Sequence, residues 1–94
     1  MVTSLRLIGN QHLDLRRVAE LFPNLHDLWL YNSPVGSVEP LSALPLELLG
    51  VYGNQKAVDL TPLAGRMLTL GLSRDDKHLG LENLGPRVKL KYVE

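Results

Sequence analysis

The chain repeats itself, and the period of the repeat leaves few folds open to it. The recurring pattern is an apolar residue, two others, Leu-x-Leu and, two residues on, a small polar residue. It reads Val2-x-x-Leu5-x-Leu7-x-x-Asn10, then Leu25-x-x-Leu28-x-Leu30-x-x-Ser33, Leu46-x-x-Leu49-x-Val51-x-x-Asn54 and Met67-x-x-Leu70-x-Leu72-x-x-Asp75. An incomplete fifth unit puts Leu90 and Tyr92 at the paired positions, with Arg87 in the first apolar place. The leading residues of the pairs fall at 5, 28, 49, 70 and 90, at intervals of 23, 21, 21 and 20. On a strand, Leu-x-Leu sends both side chains to one face. One strand cannot bury such a pair alone. Stacked units can, as a curved parallel sheet of about five short strands whose apolar side packs on the remainder of each unit.

The second half of each unit carries its own apolar marks: Leu13, Leu15, Val18 and Leu21; Val38, Leu41 and Leu44; Val58, Leu60 and Leu63; Leu79, Leu81 and Leu84. Pro40, Pro62 and Gly65 in these halves predict short turns or 3₁₀ pieces. The first is the exception: Asp14 can cap a helix running to Leu21, which Pro23-Asn24 stops. The small polar residues Asn10, Asn54 and Asp75 can turn inward and bond the backbone at each corner. Ser33 departs from that series, with Asn32 one position early, so either the ladder weakens there or the register slips by one.

These residues resemble the leucine-rich-repeat superfamily in its short bacterial style, whose units run roughly 20–29 residues. Val58-Asp59-Leu60-Thr61-Pro62-Leu63-Ala64-Gly65, preceded by Tyr52-Gly53-Asn54, is especially similar. The resemblance spans nearly the whole chain. It implies an α/β class and a right-handed leucine-rich-repeat solenoid with a turn, 3₁₀ or short-helix convex side. The single domain 1–94 then divides into units of about 1–23, 24–44, 45–65 and 66–85 and a terminal strand 86–94. The family implies a protein-binding concave sheet and supplies no catalytic motif to carry over.

Composition narrows the function. The 94 residues are 45% apolar, which excludes a disordered chain. Ten Lys and Arg balance ten Asp and Glu, which argues against nucleic acid or an anionic membrane as partner. There is no Cys, no apolar run of membrane length and no signal peptide pattern, so a cytoplasmic location is expected. His12, His26 and His78 lie at unrelated repeat positions without metal-ligand spacing and read as surface or corner residues. Asp75-Asp76-Lys77 reads as a solvated corner. The glycines form no phosphate loop, and Ser4, Ser33, Ser37, Ser42 and Ser73 have no nearby base. Neither an enzyme nor a cofactor or metal site is expected.

The sheet face turned away from the core is the candidate site. Its columns are Ser4, Asp27, Leu48, Thr69 and Lys89; then Arg6, Trp29, Gly50, Gly71 and Lys91; then Ile8, Tyr31, Tyr52, Ser73 and Val93. The single Trp and two of the three Tyr stand on it, and such residues are enriched in interface hot spots. Trp29, Tyr31, Tyr52 and Leu48 are expected at the centre of a partner-binding site, with Arg6, Asp27 and Arg74 at its rim. Gly50 and Gly71 follow Trp29 along its row, which leaves space for an inserted side chain. The alternative is that Trp29 folds down over them as packing.

The first unit looks like an interior repeat, and the last, with Lys89 and Lys91 guarding an edge strand, looks like an end. The expectation is therefore a C-terminal segment of a longer chain, with upstream domains in the same polypeptide. The expected function is recognition of a protein partner. A sensor or regulatory role in a larger bacterial signalling or defence protein is favoured, by resemblance to nucleotide-switch immune ATPases. The alternatives are a regulatory subunit of a phosphatase or kinase, or a structural spacer.

Overall fold

The computed structural model describes residues 2–9, 14–33, 35, 37–53, 57–73 and 76–93. Its main sheet contains β1 (Ser4–Ile8), β2 (Asp27–Tyr31) and β3 (Leu48–Tyr52). The short strand β4 (Val58–Asp59) follows, then β5 (Leu68–Ser73), the short β6 (His78–Leu79) and finally β7 (Val88–Val93). All main-sheet pairings are parallel, in the order β1-β2-β3-β5-β7. The register sets Leu5, Leu28, Leu49, Leu70 and Leu90 in one column, and Leu7, Leu30, Val51, Leu72 and Tyr92 in the next. The three middle strands bury these pairs fully, with Leu28, Leu30, Leu49, Leu70 and Leu72 at 0% exposure. Each unit thus lies beside its sequence neighbour, which is the α/β parallel arrangement that the spacing predicts.

The other wall of the core comes from the second halves. Helix α1 (Leu15–Leu21) starts where Asp14 Oδ1 accepts from the N–H groups of Arg16 and Arg17, at 3.0 and 3.4 Å. Its buried stripe is Leu15 and Val18, continued by the partly buried Phe22, so Leu21 points outward at 59% exposure, against the sequence expectation. The later halves are 3₁₀ turns: Glu39–Ala43, Thr61–Leu63 and Leu81–Asn83. They bury Val38, Leu41, Leu44, Val58, Leu60, Leu63 and Leu84. Arg66 ties two units together, its guanidinium donating to the carbonyls of Ser42 (2.7 Å) and Leu44 in the preceding turn.

Three details differ from the sequence reading, each for a register reason. Met67 is 74% exposed, and Leu68 takes the inward place at 4%. In units two and three, two successive N–H groups converge on one carbonyl: His26 and Asp27 on Thr3, Glu47 and Leu48 on His26. That extra residue puts Leu25 and Leu46 three positions before the Leu pair. Strand β5 starts directly, so its inward residue lies two positions before, and Val88, not the site of Arg87, is the buried equivalent in β7.

The second difference is a thin outer ladder that the sequence reading lacks. Strands β4 and β6 pair in parallel, and Ser37 bridges to Asp59 beside them. Val58 pairs with His78 and Asp59 with Leu79. Leu79 therefore shares the outward register of Asp59 and is 54% exposed, while His78 occupies the inward place of a fully buried Val58. His78 is thus half-buried rather than a surface residue. Burial pushes its pKa below the usual histidine value, against the opposing pull of Asp76.

The third concerns the corner. No slip occurs at Asn32-Ser33: Tyr31 pairs with Tyr52 in register with the rest of β2 and β3. Gly9, Asn32 and Gly53 occupy the same corner position, with φ of 65°, 51° and 69°. Asn32 is there because Asn tolerates the left-handed region best after Gly. Ser33 behind it is the inward residue, 1% exposed, its hydroxyl donating to the Tyr31 carbonyl at 3.0 Å. The equivalent Asn10, Asn54 and Asp75 lie outside the described residues, as do His12 and Leu13.

Candidate functional site

The face of the main sheet opposite the Leu columns is built by alternation alone. Because Leu28 and Leu30 point into the core, Asp27, Trp29 and Tyr31 point away from it, and all three are half-buried. The parallel register then places Asp27 beside Leu48, Trp29 beside Gly50 and Tyr31 beside Tyr52. Neighbouring strands lie about 4.8 Å apart, so side chains roughly twenty residues distant in sequence touch.

The aromatic groups form a connected row. Tyr31 and Tyr52 stack with ring centroids 5.1 Å apart and planes inclined by 27°. The Arg6 guanidinium carbon lies 5.5 Å from the centre of the Trp29 ring and 5.9 Å from that of Tyr31. Both distances suit a cation–π contact. At the lower end of the face, the Ser4 hydroxyl donates to Asp27 Oδ2 at 3.2 Å. Burial raises the pKa of the Tyr52 phenol above its ordinary value of 10.0, and the neighbouring Tyr31 adds to the shift.

Gly50 and Gly71 are not an open floor. A Cβ on Gly71 would collide with the Tyr52 hydroxyl and meet its Cζ at 3.0 Å. One on Gly50 would meet Tyr52 Cε2 at 2.7 Å and Trp29 Cδ1 at 3.0 Å. The Tyr52 ring lies across both glycines, with Trp29 at the edge of Gly50, and both glycines are buried. The space expected above them is therefore filled from within the chain, and chiefly by Tyr52 rather than Trp29. A tyrosine two positions along the strand from one glycine can lie flat because neither row position carries a Cβ.

What remains open lies beside that ring. Trp29, Leu48, Tyr52, Thr69, Gly71 and Lys91 line a pocket of about 190 Å³. It brings together three of the expected central residues. Arg6, over the Trp29 and Tyr31 rings, and Asp27, bonded to Ser4, do not line it, while Arg74 lies outside the described residues. Thr69 and Lys91 are the residues that the sequence reading passed over. Both stand in the outward columns, and Lys91, a lysine on an edge strand, also lines this pocket.

Among the described residues, no group of three His, Asp or Glu side chains gathers as a metal ion would need. No helix among them is long and apolar enough to cross a membrane. No family model, no curated protein and no solved structure matches this chain.

Proposed function

We propose that this chain is a leucine-rich-repeat solenoid acting as a protein-recognition module, with its contact surface on the open face of the main sheet. One observation carries the reading. Trp29, Tyr31, Tyr52 and Leu48 stand half-buried on the side of the sheet that the core does not use, while the opposite side is already packed with Leu. Rigid aromatic rings backed by a filled core are suited to bury area on a partner at low entropic cost. Arg6 belongs to the same surface through its contacts with Trp29 and Tyr31. The wider setting, a sensor or regulatory segment of a larger signalling protein, rests on the repeat resemblance alone.

A second reading has its own support. Because Tyr52 covers Gly50 and Gly71, the aromatic row also serves as packing, as a spacer without ligand would require. The two readings separate in one experiment. Displayed protein fragments of the source organism are selected on the immobilised chain, and the binders are measured against Trp29→Ala and Tyr31→Ala. Recognition predicts a loss of about 2 kcal/mol or more, roughly thirtyfold in Kd, with unfolding free energy changed by less than about 1 kcal/mol. Unchanged binding together with a large fall in the urea midpoint would assign the rings to packing.

A further inference from the structure

The pocket beside Tyr52 has a chemistry that narrows what can enter it, provided that the recognition reading above holds. Its walls are apolar and aromatic: the Trp29 indole, the Leu48 side chain and the Tyr52 ring. Its volume of about 190 Å³ exceeds the roughly 150 Å³ in which a buried cavity holds a benzene molecule, so one Leu- or Phe-sized side chain fits. Its single charged lining residue among those described is Lys91, and no ion pair among them occupies that ammonium.

The charges around the pocket point the same way. The described part of the open face carries Arg6, Lys89 and Lys91 against one carboxylate, Asp27. That carboxylate already accepts the Ser4 hydroxyl. Arg6 is engaged over the rings at the other end of the row. Glu47 lines an adjoining depression that meets the pocket at Thr69, and there it stands with two cations, Arg87 and Lys89. The chain as a whole is neutral, so this local excess of positive charge belongs to the face and not to the composition.

We infer that the pocket receives a leucine- or phenylalanine-sized side chain from an acidic protein segment, one carboxylate of which pairs with Lys91. The apolar side chain enters between Trp29, Leu48 and Tyr52, above Thr69. The segment's acidic residues on either side meet Lys91 and Lys89 at one end of the face and Arg6 at the other. The anchor supplies most of the affinity, and the charges select the segment and speed its approach.

The test is selection of a random dodecapeptide phage library on the immobilised 94-residue chain, followed by titration of the winning synthetic peptides. Enriched sequences should combine Leu, Ile or Phe with Asp or Glu within two positions. Lys91→Glu, a change at an exposed side chain, should weaken them about fivefold or more and shift a fresh selection toward Lys- and Arg-bearing peptides. Thr69→Trp, which fills the pocket floor, should abolish the requirement for a large apolar residue. Peptides that depend on Trp29 and Tyr31 but ignore Lys91 and Thr69 would leave recognition standing and overturn the acidic-anchor assignment. Basic winners would overturn it as well. No enrichment, or winners indifferent to every open-face substitution, would count against both readings.

Discussion

Asn32 shows how one backbone angle can look like an irregularity in the repeat. At φ 51° it does what Gly9 and Gly53 do at the same corner, and Ser33 then falls inward on schedule. Asn32→Gly should leave the urea midpoint nearly unchanged. Asn32→Val should cost about 1–2 kcal/mol, because a branched side chain crowds the following carbonyl in that region; equal midpoints for the two variants would refute the assignment. Gly71 makes a different demand. Gly71→Ala forces the Tyr52 phenol off the glycine row, so the pKa of Tyr52 should fall back toward 10.0, which a spectrophotometric titration reads directly. A pKa that stays raised would mean the ring was never held there. The members of this face were legible in the sequence, since strand alternation and the repeat period are enough to list the columns. The direction of the Tyr52 ring was not. Two glycines in a row permit several rotamers, and only the packed neighbourhood chooses between a ring that stands up and one that lies down.

At the scale of elements, the main strands were legible because each carries a pair of apolar residues set by period two and repeated four times. Strands β4 and β6 were not, for two residues have no period to read. That gap also hid the inward position of His78, which stands where the unit before has Val58. Its Nε2 has no hydrogen-bond partner among the described residues. With the folded pKa below the ordinary 6.5, the unfolded chain binds the proton more tightly. The stability linked to His78 is therefore full above that value and is lost as pH falls through the folded pKa. His78→Val should restore the apolar register, raise the urea midpoint at neutral pH and remove the part of the decline that sets in as pH falls below the ordinary histidine value of 6.5. A lower neutral midpoint, or an unaltered decline, would show that the histidine is satisfied where it stands. The cap of α1 is the simpler case: Asp14→Ala should cost about 1 kcal/mol by chemical denaturation, and no loss would mean that the helix start is held elsewhere.

For the molecule as a whole, place in the stack outweighs place in the repeat. Leu49 and Leu90 share one column, yet Leu49 is 0% and Leu90 42% exposed, since β3 is flanked on both sides and β7 on one. Leu49→Ala should cost about 2–5 kcal/mol and Leu90→Ala about 1 kcal/mol, both read from urea unfolding. Similar costs would mean that the end strand is packed as tightly as the middle. The parallel register that sets these differences has a further consequence for anyone trying to imitate or block the surface. Tyr31 and Tyr52 are in ring contact although 21 positions separate them, and Arg6 reaches Trp29 across 23. The surface is therefore a discontinuous epitope, written across the strands and not along any of them. No excised peptide of this chain can reproduce it, and antibodies raised against linear fragments should fail to mask it. A residue inserted between two strands would leave each face intact if absorbed in a turn, but would scramble the whole surface if it moved one strand by a single step.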